Sequence, residues 1–192
     1  MVVTLISMNT KPEKFLKLLT PLRASLLAYV KHLLWNKNDL EDALQNVLTE
    51  AYKKFGQFAV GTNFKSWIFQ IATFTLFNMN RKYQKEIDSR VRLSVGFDCL
   101  APEQRNNPDY EKLLVGNDFI LEKISDEVKS SLSVLNEQER SVFLLRSLAE
   151  LNYEEIARIL QMPAGSVMSN LARSRIKLRN ELTSYIKDNE IL

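Results

Sequence analysis

The sequence is poor in the residues that build disulfides, zinc sites and tight turns. Its 192 residues include one cysteine, Cys99, and one histidine, His32. An intrachain disulfide and a zinc site built from Cys and His ligands are therefore excluded. Only five Gly and five Pro are present, which favours long helices over a turn-rich fold. No apolar run reaches the length of about 18 residues that a membrane-spanning helix needs.

Sequence patterns of catalysis are also missing. The sequence contains no glycine-rich phosphate loop, no nucleophile paired with a base and no run of metal-binding side chains. We therefore expect a protein that is not an enzyme and that holds no cofactor and no metal. The first residues lack the charged and apolar regions of a secretory leader, so we expect a cytoplasmic protein without membrane insertion.

Charge is distributed unevenly along the chain. Residues 1–96 hold 14 Lys and Arg against 7 Asp and Glu, whereas residues 97–192 hold 12 against 16. Much of the acidic excess lies between residues 98 and 127, which hold 8 acids and 3 bases. A basic half followed by an acidic stretch indicates different partners for different parts of the chain.

Apolar residues recur at helical spacing in most of the sequence. In residues 12–34 they stand three or four positions apart, as in an amphipathic helix. The pattern weakens across the acidic stretch and returns near residue 119. We predict an all-α protein with two helical domains, residues 10–92 and 119–187. A flexible acidic linker, residues 93–118, joins them.

The stretch YEEIARILQMPAGSVMSNLARSRIKLRNEL, residues 153–182, has the pattern of a helix-turn-helix. Pro163 and Gly165 mark the turn, and the second helix has an apolar stripe and an opposite polar stripe. The apolar stripe is Val167, Leu171, Leu178 and Leu182, and the polar stripe is Ser166, Ser169, Asn170, Arg173 and Lys177. Small polar groups followed by cations suit base edges and then phosphates. The alternative is a three-helix bundle with a solvated polar face.

The C-terminal half resembles the −35-recognition domain of extracytoplasmic-function sigma factors, which belong to the sigma-70 type. That family has the patterns L-x-x-x-x-R-x-V-F-x-L-R, Y-x-E-I-A and G-T-V-K-S-R-L-x-R-A-R. This sequence matches them without a gap at Leu135, Arg140, Val142, Phe143, Leu145, Arg146, Tyr153, Glu155, Ile156, Ala157, Gly165, Val167, Ser169, Leu171, Arg173 and Arg175.

The N-terminal half resembles the other domain of the same family, which binds polymerase and melts the −10 element. DLEDALQNVLTEAY and FAVGTNFKSWIFQIATF carry this resemblance. The G-T-N-F-x-x-W-x-x-x-I-A-x-F form resembles a subgroup known from Planctomycetes and Verrucomicrobia, the Rhodopirellula/Verrucomicrobium subgroup. Together the two matches cover about residues 10–90 and 119–183.

The resemblance implies a transcription initiation factor with two main partners, core RNA polymerase and promoter DNA. An anti-sigma factor is a further candidate partner. The residues that align with the polymerase-docking surface are Asp39, Glu41, Asp42 and Gln45. Their acidic side chains also suit the first turn of any helix, since they complement the helix dipole.

The family's −10 loop, which receives a flipped-out base, aligns with residues near 58–67. Melting needs aromatic platforms, polar groups at base edges and nearby cations. The implied −10 residues are Phe58, Thr62, Asn63, Phe64, Trp67, Gln70, Asn78, Arg81, Lys82 and Lys85. Packing and stacking are equally open for Trp67, whereas Phe69, Phe74 and Phe77 are expected to pack in the core.

The implied −35 residues are Ser166, Met168, Ser169, Asn170, Arg173, Arg175, Lys177 and Arg179. Two of them depart from the family, which has Lys where this sequence has Met168 and Arg where it has Asn170. Asn pairs with adenine and Met contacts a thymine methyl, so we hypothesise an altered −35 element with an adenine facing Asn170. Reading of DNA shape is an alternative.

Two other functions remain open at this point. One is a stand-alone helix-turn-helix regulator that binds duplex operator DNA without polymerase. Such a protein is typically a dimer on a palindromic site, and the sequence has no obvious dimerisation helix. The other is a degenerate relative that sequesters a regulator and never initiates transcription.

Overall fold

The computed structural model describes residues 10–59, 61–93 and 131–188. Within these ranges the regular secondary structure is helical and no strand occurs, so the prediction of an all-α fold is confirmed. The acidic linker, Cys99 and residues 119–130 of the second predicted domain lie outside the described residues, apart from residue 93.

The described chain forms two groups of helices that follow one another in sequence. A 3-10 turn with Pro21 joins the first two helices, and short 3-10 turns also precede and follow the third helix. The first group contains α1 (Lys11–Leu19), α2 (Arg23–Leu33), α3 (Leu40–Lys54) and α4 (Phe64–Leu93), and the second contains α5 (Glu137–Ser147), α6 (Tyr153–Leu160) and α7 (Ala164–Asp188).

The first group, which we call the N-terminal unit, packs α2 and α3 against the first half of α4. Leu26, Val47 and Phe69 are fully buried at this junction. Tyr29 is also fully buried, and its hydroxyl shares a 2.7 Å hydrogen bond with Thr73 Oγ1. Burial raises the pKa of Tyr29, so the phenol stays neutral and serves as a hydrogen-bonding partner inside the core.

The second group, the C-terminal unit, is a compact three-helix arrangement with strongly marked helix starts. Asn136 with Glu139 begins α5, and Asn152 with Glu155 begins α6, each as a complete capping box. These boxes satisfy backbone amides that a helix start leaves free. The helix Tyr153–Leu160 is the first helix of the predicted helix-turn-helix.

The helix-turn-helix consists of α6, a tight turn and α7. Gln161 ends α6 with its backbone in the left-handed region at φ 52°, a conformation that residues other than glycine adopt less often. Val167, Leu171 and Leu178 are buried as predicted, and Leu182 is half-buried. The apolar stripe therefore fastens α7 to the rest of the unit.

The two units contact one another directly. Helix α5 packs on α2, and α6 packs on α4. Buried Asn80 of α4 lies at this junction, where its side chain donates to Leu33 O and accepts from Trp35 N. The same amide donates to Glu137 of α5 over 3.3 Å. The placement of the units thus depends on polar contacts as well as apolar packing.

Candidate nucleic-acid interface

A cluster of aromatic rings surrounds the start of α4. The Phe58 ring lies 5.1 Å from Trp67 and 5.4 Å from Phe64, measured between ring centroids. Phe58 also stacks on Phe55 with the planes 9° apart. Phe64 is buried, whereas Phe58 and Trp67 are half-buried. The cluster is therefore part of the core, with two rings partly open to solvent.

Polar side chains precede this cluster at the turn into α4. Gly61 has φ 100°, which lets the chain reverse just before Thr62 and Asn63. Both side chains are exposed. Asn63 Oδ1 accepts from the backbone amide of Ser66 over 3.2 Å, so Asn63 caps α4. The structure brings the predicted polar and aromatic members of the −10 loop together at one helix start.

An open groove of about 980 Å³ runs between α3 and α4. Four of the predicted −10 residues line it, together with two of the predicted polymerase-docking residues. The first four are Trp67, Gln70, Asn78 and Lys82, and the other two are Asp39 and Asp42. Aromatic and amide groups along a groove suit unstacked bases, while the acids on the α3 side repel a phosphate strand.

Phe74 also lines this groove and is 38% exposed, so the expectation that it packs in the core is wrong. Phe69 is fully buried as expected, and Phe77 packs partly buried against the core. The difference follows from helix geometry, because positions five apart point to different sides of α4. Phe74 is thus an aromatic side chain of the groove, although the sequence analysis assigned it to the core.

The predicted polymerase-docking residues lie on the first turns of α3. Glu41, Asp42 and Gln45 are exposed and Asp39 is half-buried, while Ala43 and Val47 face the core. Asp39 occupies the N-cap position without a side-chain capping bond. The acids therefore form a solvent-facing patch at a helix start, which could accept hydrogen bonds from cationic side chains of another protein.

The predicted −35 residues of α7 do not form one exposed face. Asn170 is buried, with 4% of its surface exposed. Its Oδ1 accepts a 2.9 Å hydrogen bond from Arg173, and its amide nitrogen lies 3.8 Å from the sulfur of Met162. Contact of Asn170 with an adenine would require these bonds to open.

Arg173 and Lys177 are engaged with Glu139 of α5. Lys177 Nζ donates to Glu139 Oε2 over 2.7 Å, and Arg173 Nε lies 3.7 Å from Oε1. Burial opposes ionisation of Glu139, yet the bonds from Lys177 and the Asn136 amide hold its pKa below its usual value. The carboxylate thus neutralises part of the positive charge of Arg173 and Lys177, which the sequence pattern predicted to contact DNA.

A different face of α7 stays open. Met168, Ala172 and Ile176, spaced four residues apart, form one ridge along the helix. Met168 is 50% exposed and Ile176 is 57% exposed. Arg175 and Arg179 are exposed beside this ridge. An apolar ridge flanked by cations suits a DNA groove, where methyl groups lie between phosphate strands.

The start of α4 is joined to the C-terminal unit by Glu155. Its Oε1 accepts hydrogen bonds from Asn63 Nδ2 and from Ser66 Oγ, the latter over 2.9 Å. Its Oε2 accepts from the Asn152 amide within the α6 capping box. Burial opposes ionisation here too, but these three bonds outweigh it and keep the pKa of Glu155 low. Lys65 and Glu150 add a longer contact of 3.9 Å.

Family models match both units. The model for Sigma-70 region 2 matches residues 18–86, and the model for Sigma-70, region 4 matches residues 125–178. The chain is 26% identical over 152 residues to the ECF RNA polymerase sigma factor SigW of Bacillus subtilis, covering 78% of this chain and 79% of that one. It is 27% identical over 154 residues to the sigma-E factor of Escherichia coli K12, covering 78% and 76%.

The chain belongs to the extracytoplasmic-function sigma-70 family. As a sigma factor it is a DNA-binding transcription initiation factor, and the alternative of a stand-alone regulator is not favoured. Sigma factors are transcription regulators, not enzymes.

Two solved structures share the fold of this sigma factor. The sigma factor RpoE of Bartonella quintana, solved in complex with the anti-sigma factor NepR, superposes with a TM-score of 0.69 at 23% identity. This match covers 89% of the present chain and 98% of that one. CnrH, solved with the cytosolic domain of CnrY, gives a TM-score of 0.61 at 18% identity, covering 92% and 91%.

The described part of the sigma factor was also compared with what a metal site and a membrane-spanning helix require. Residues 10–59, 61–93 and 131–188 contain no group of three or more His, Cys, Asp or Glu that could hold a metal ion. Over the same residues, no helix is long and apolar enough to cross a bilayer. His32 is buried.

Besides Phe74, Ser66 and Glu155 are residues beside the start of α4 that sequence reasoning missed. Glu155 entered the sequence comparison as a family position without an assigned role, and Ser66 did not enter it. Their contact joins positions 89 apart in sequence, so no local sequence pattern predicts it. The signal available was indirect, since a capping-box carboxylate has a second oxygen free for another donor.

Proposed function

We propose that each unit of this sigma factor serves one promoter element. Residues 10–92 bind core RNA polymerase and the −10 element, residues 119–187 bind the −35 element, and residues 93–118 link them. The matched segments 18–86 and 125–178 each fall inside one of the two domains. The carrying observation is that both sigma regions occur on one chain in the expected order.

In this proposal the acidic patch on α3 docks on core polymerase. The patch is Asp39, Glu41, Asp42 and Gln45. Exposed carboxylates at a helix start can form charge-assisted hydrogen bonds with Arg or Lys of a partner helix. Such contacts steer association and set its register more than they add to affinity, so docking should weaken as salt rises.

The −10 element binds at the start of α4 and along its groove. Asn63 and Thr62 meet a flipped base beside Phe58, Phe64 and Trp67. Gln70 and Asn78 then contact later bases in the groove, and exposed Arg81, Lys82 and Lys85 contact phosphates about five turns or more beyond Asn63. Half-buried Trp67 supports both packing and stacking, because one ring face can serve each role.

The −35 element binds α7 in the major groove. Arg175 and Arg179 are exposed and can contact phosphates directly, whereas Ser166, Met168 and Ser169, nearer the turn, contact base edges. The adenine hypothesis for Asn170 requires Arg173 to release it, and Arg173 and Lys177 reach DNA only where their contacts with Glu139 also open. An Asn170→Ala protein that keeps full discrimination at every −35 position would refute the adenine contact.

Three finer statements belong to the same proposal. The sigma factor works in the cytoplasm, where core polymerase and promoter DNA are found. It belongs to the Planctomycetes and Verrucomicrobia subgroup, because its segment GTNFKSWIFQIATF resembles the form known from that subgroup. An anti-sigma factor controls it, a view supported by RpoE and CnrH, whose solved complexes contain NepR and the cytosolic domain of CnrY.

Reconstitution tests the proposed function. The purified chain is mixed with bacterial core polymerase, and run-off transcripts are mapped on sheared DNA from the source organism. Start sites that share two short elements and are absent with core alone are the expected result. A chain that binds duplex DNA but not core polymerase would instead be a stand-alone regulator. A chain that binds neither core polymerase nor duplex DNA would instead be the degenerate relative that sequesters a regulator.

A further inference from the structure

The contact of Glu155 with the start of α4 places an acceptor where the proposed −10 site has its donors. Asn63 Nδ2 and Ser66 Oγ both point to the same oxygen, Glu155 Oε1. Trp67 lies one helical turn beyond Asn63, and its backbone amide bonds to Asn63 O over 3.1 Å. The two donors therefore lie within about one helical turn of Trp67, which is half-open to solvent.

These donors match the chemistry of a base edge. A base carbonyl or ring nitrogen accepts hydrogen bonds in the plane of the ring, while stacking holds its face. The free N-terminus of a helix adds positive potential at the same place, which favours any acceptor there. A carboxylate is a stronger acceptor than a base carbonyl, so Glu155 and a base compete for one pair of donors.

We propose that Ser66 belongs with Asn63 to the −10 base-binding site and that Glu155 occupies this site in the free chain. The C-terminal unit thereby blocks the −10 site until core polymerase separates the two units. This inference depends on the proposed −10 role of the loop at the start of α4. It adds a base-contacting residue and a competitor that the family match does not assign.

The surrounding contacts indicate a block that a partner can open. Asn63 is exposed and Glu155 is half-buried, so water screens their interaction. The Lys65–Glu150 pair is long, and the Glu150 side chain is 81% exposed. Such contacts shift an equilibrium by a modest factor, on the order of five- to twentyfold, rather than locking the chain irreversibly.

Variants of Glu155 separate the block from general charge effects. Glu155→Gln removes the charge, and Glu155→Asp keeps it but withdraws the carboxylate by one methylene. Both residues are tolerated at this position of a capping box, so α6 keeps its start. Glu154→Gln is the matched control, because it removes one negative charge from the exposed neighbouring position. Thermal unfolding identifies any variant whose fold is lost.

The experiment measures binding of the full chain to a labelled single strand that carries the −10 element from the mapped start sites. For the free chain, we expect Glu155→Gln and Glu155→Asp to raise affinity about five- to twentyfold over wild type and over Glu154→Gln. In the holoenzyme the same variants should bind like wild type. Adding Ser66→Ala to Glu155→Gln should reverse most of the gain.

Two results would overturn the proposal. One is a free chain in which both Glu155 variants bind like the Glu154→Gln control, and the other is a Ser66→Ala change without effect on single-strand binding. Failure of the proposed function looks different, because then no start sites depend on the chain. Mapped start sites together with unresponsive variants would reject this inference alone.

Discussion

Lys177 donates a 2.7 Å hydrogen bond to Glu139, a residue 38 positions earlier whose side chain is only 3% exposed. The same carboxylate closes the capping box of α5. One buried acid therefore joins the first helix of the C-terminal unit to its recognition helix. Because Ser174 also donates to Glu139 O over 3.0 Å, the two helices meet along a polar seam.

Replacing Glu139 with Gln should destabilise the C-terminal unit. The change removes a charge-assisted bond at a buried site, and we expect the free energy of unfolding to fall by about 1–3 kcal/mol. Urea unfolding of the chain measures this, with exposed Glu154→Gln as the control. Equal unfolding free energies for the two variants would show that the Glu139 bonds contribute nothing net.

Acid should unfold the C-terminal unit through the same group. The pKa of Glu139 is lower in the folded chain than in the unfolded chain, so the unfolded state binds more protons in that range. The stabilisation is complete above the usual glutamate value and is lost as pH falls through the folded pKa. Unfolding free energies between neutral pH and about pH 3 should drop less steeply for Glu139→Gln. Parallel curves for both proteins would contradict this.

Phe74 and Phe69 offer a matched pair on α4. Phe69→Ala should cost about 3–5 kcal/mol of stability, because a fully buried ring is removed. Phe74→Ala should change stability by less than about 1 kcal/mol, since the ring is partly exposed in the groove. The Phe74 variant should instead lose affinity for single-stranded −10 DNA by about 1–3 kcal/mol. Unchanged single-strand affinity would exclude stacking on Phe74.

Met168 should read a thymine methyl group in the −35 element. Deoxyuridine differs from thymidine by that methyl alone, which is worth about 0.8 kcal/mol or roughly a fourfold change in affinity. We expect this loss in wild-type holoenzyme at one −35 position and no such loss in Met168→Ala. The measurement is promoter binding with single deoxyuridine substitutions. An identical profile for both proteins would move the contact elsewhere on the exposed ridge.

Local patterns predicted much of this structure. Helix α6 opens the predicted helix-turn-helix, and its capping box depends on short-range hydrogen bonding, so four or five neighbouring residues suffice to define its start. The apolar stripe through Val167 and Leu171 follows from helical periodicity, which packing then uses. These features depend on sequence neighbours alone.

Tertiary contacts decided the rest. Asn170 is buried in contact with Met162 and Arg173. The helical spacing of apolar residues does not predict these contacts. Phe74 is exposed because α3 leaves a groove beside it. The Glu155 contact arises only when the two units pack together. Polar residues on one helix were predicted as a face, whereas their partners on other helices determine which of them are free.

In the proposed −10 site, helix α4 sets the distance between the base-binding loop at its start and the cations further along it. Arg81 follows Asn63 by 18 positions, which an α-helix converts into about 27 Å. That length equals the rise of roughly eight nucleotides in a stacked strand, and of fewer nucleotides where the melted strand is extended. The base received at one end and the phosphates met at the other therefore stand a set number of nucleotides apart. Adding one helical turn between them would shift this spacing by about 5 Å, between one and two stacked nucleotides.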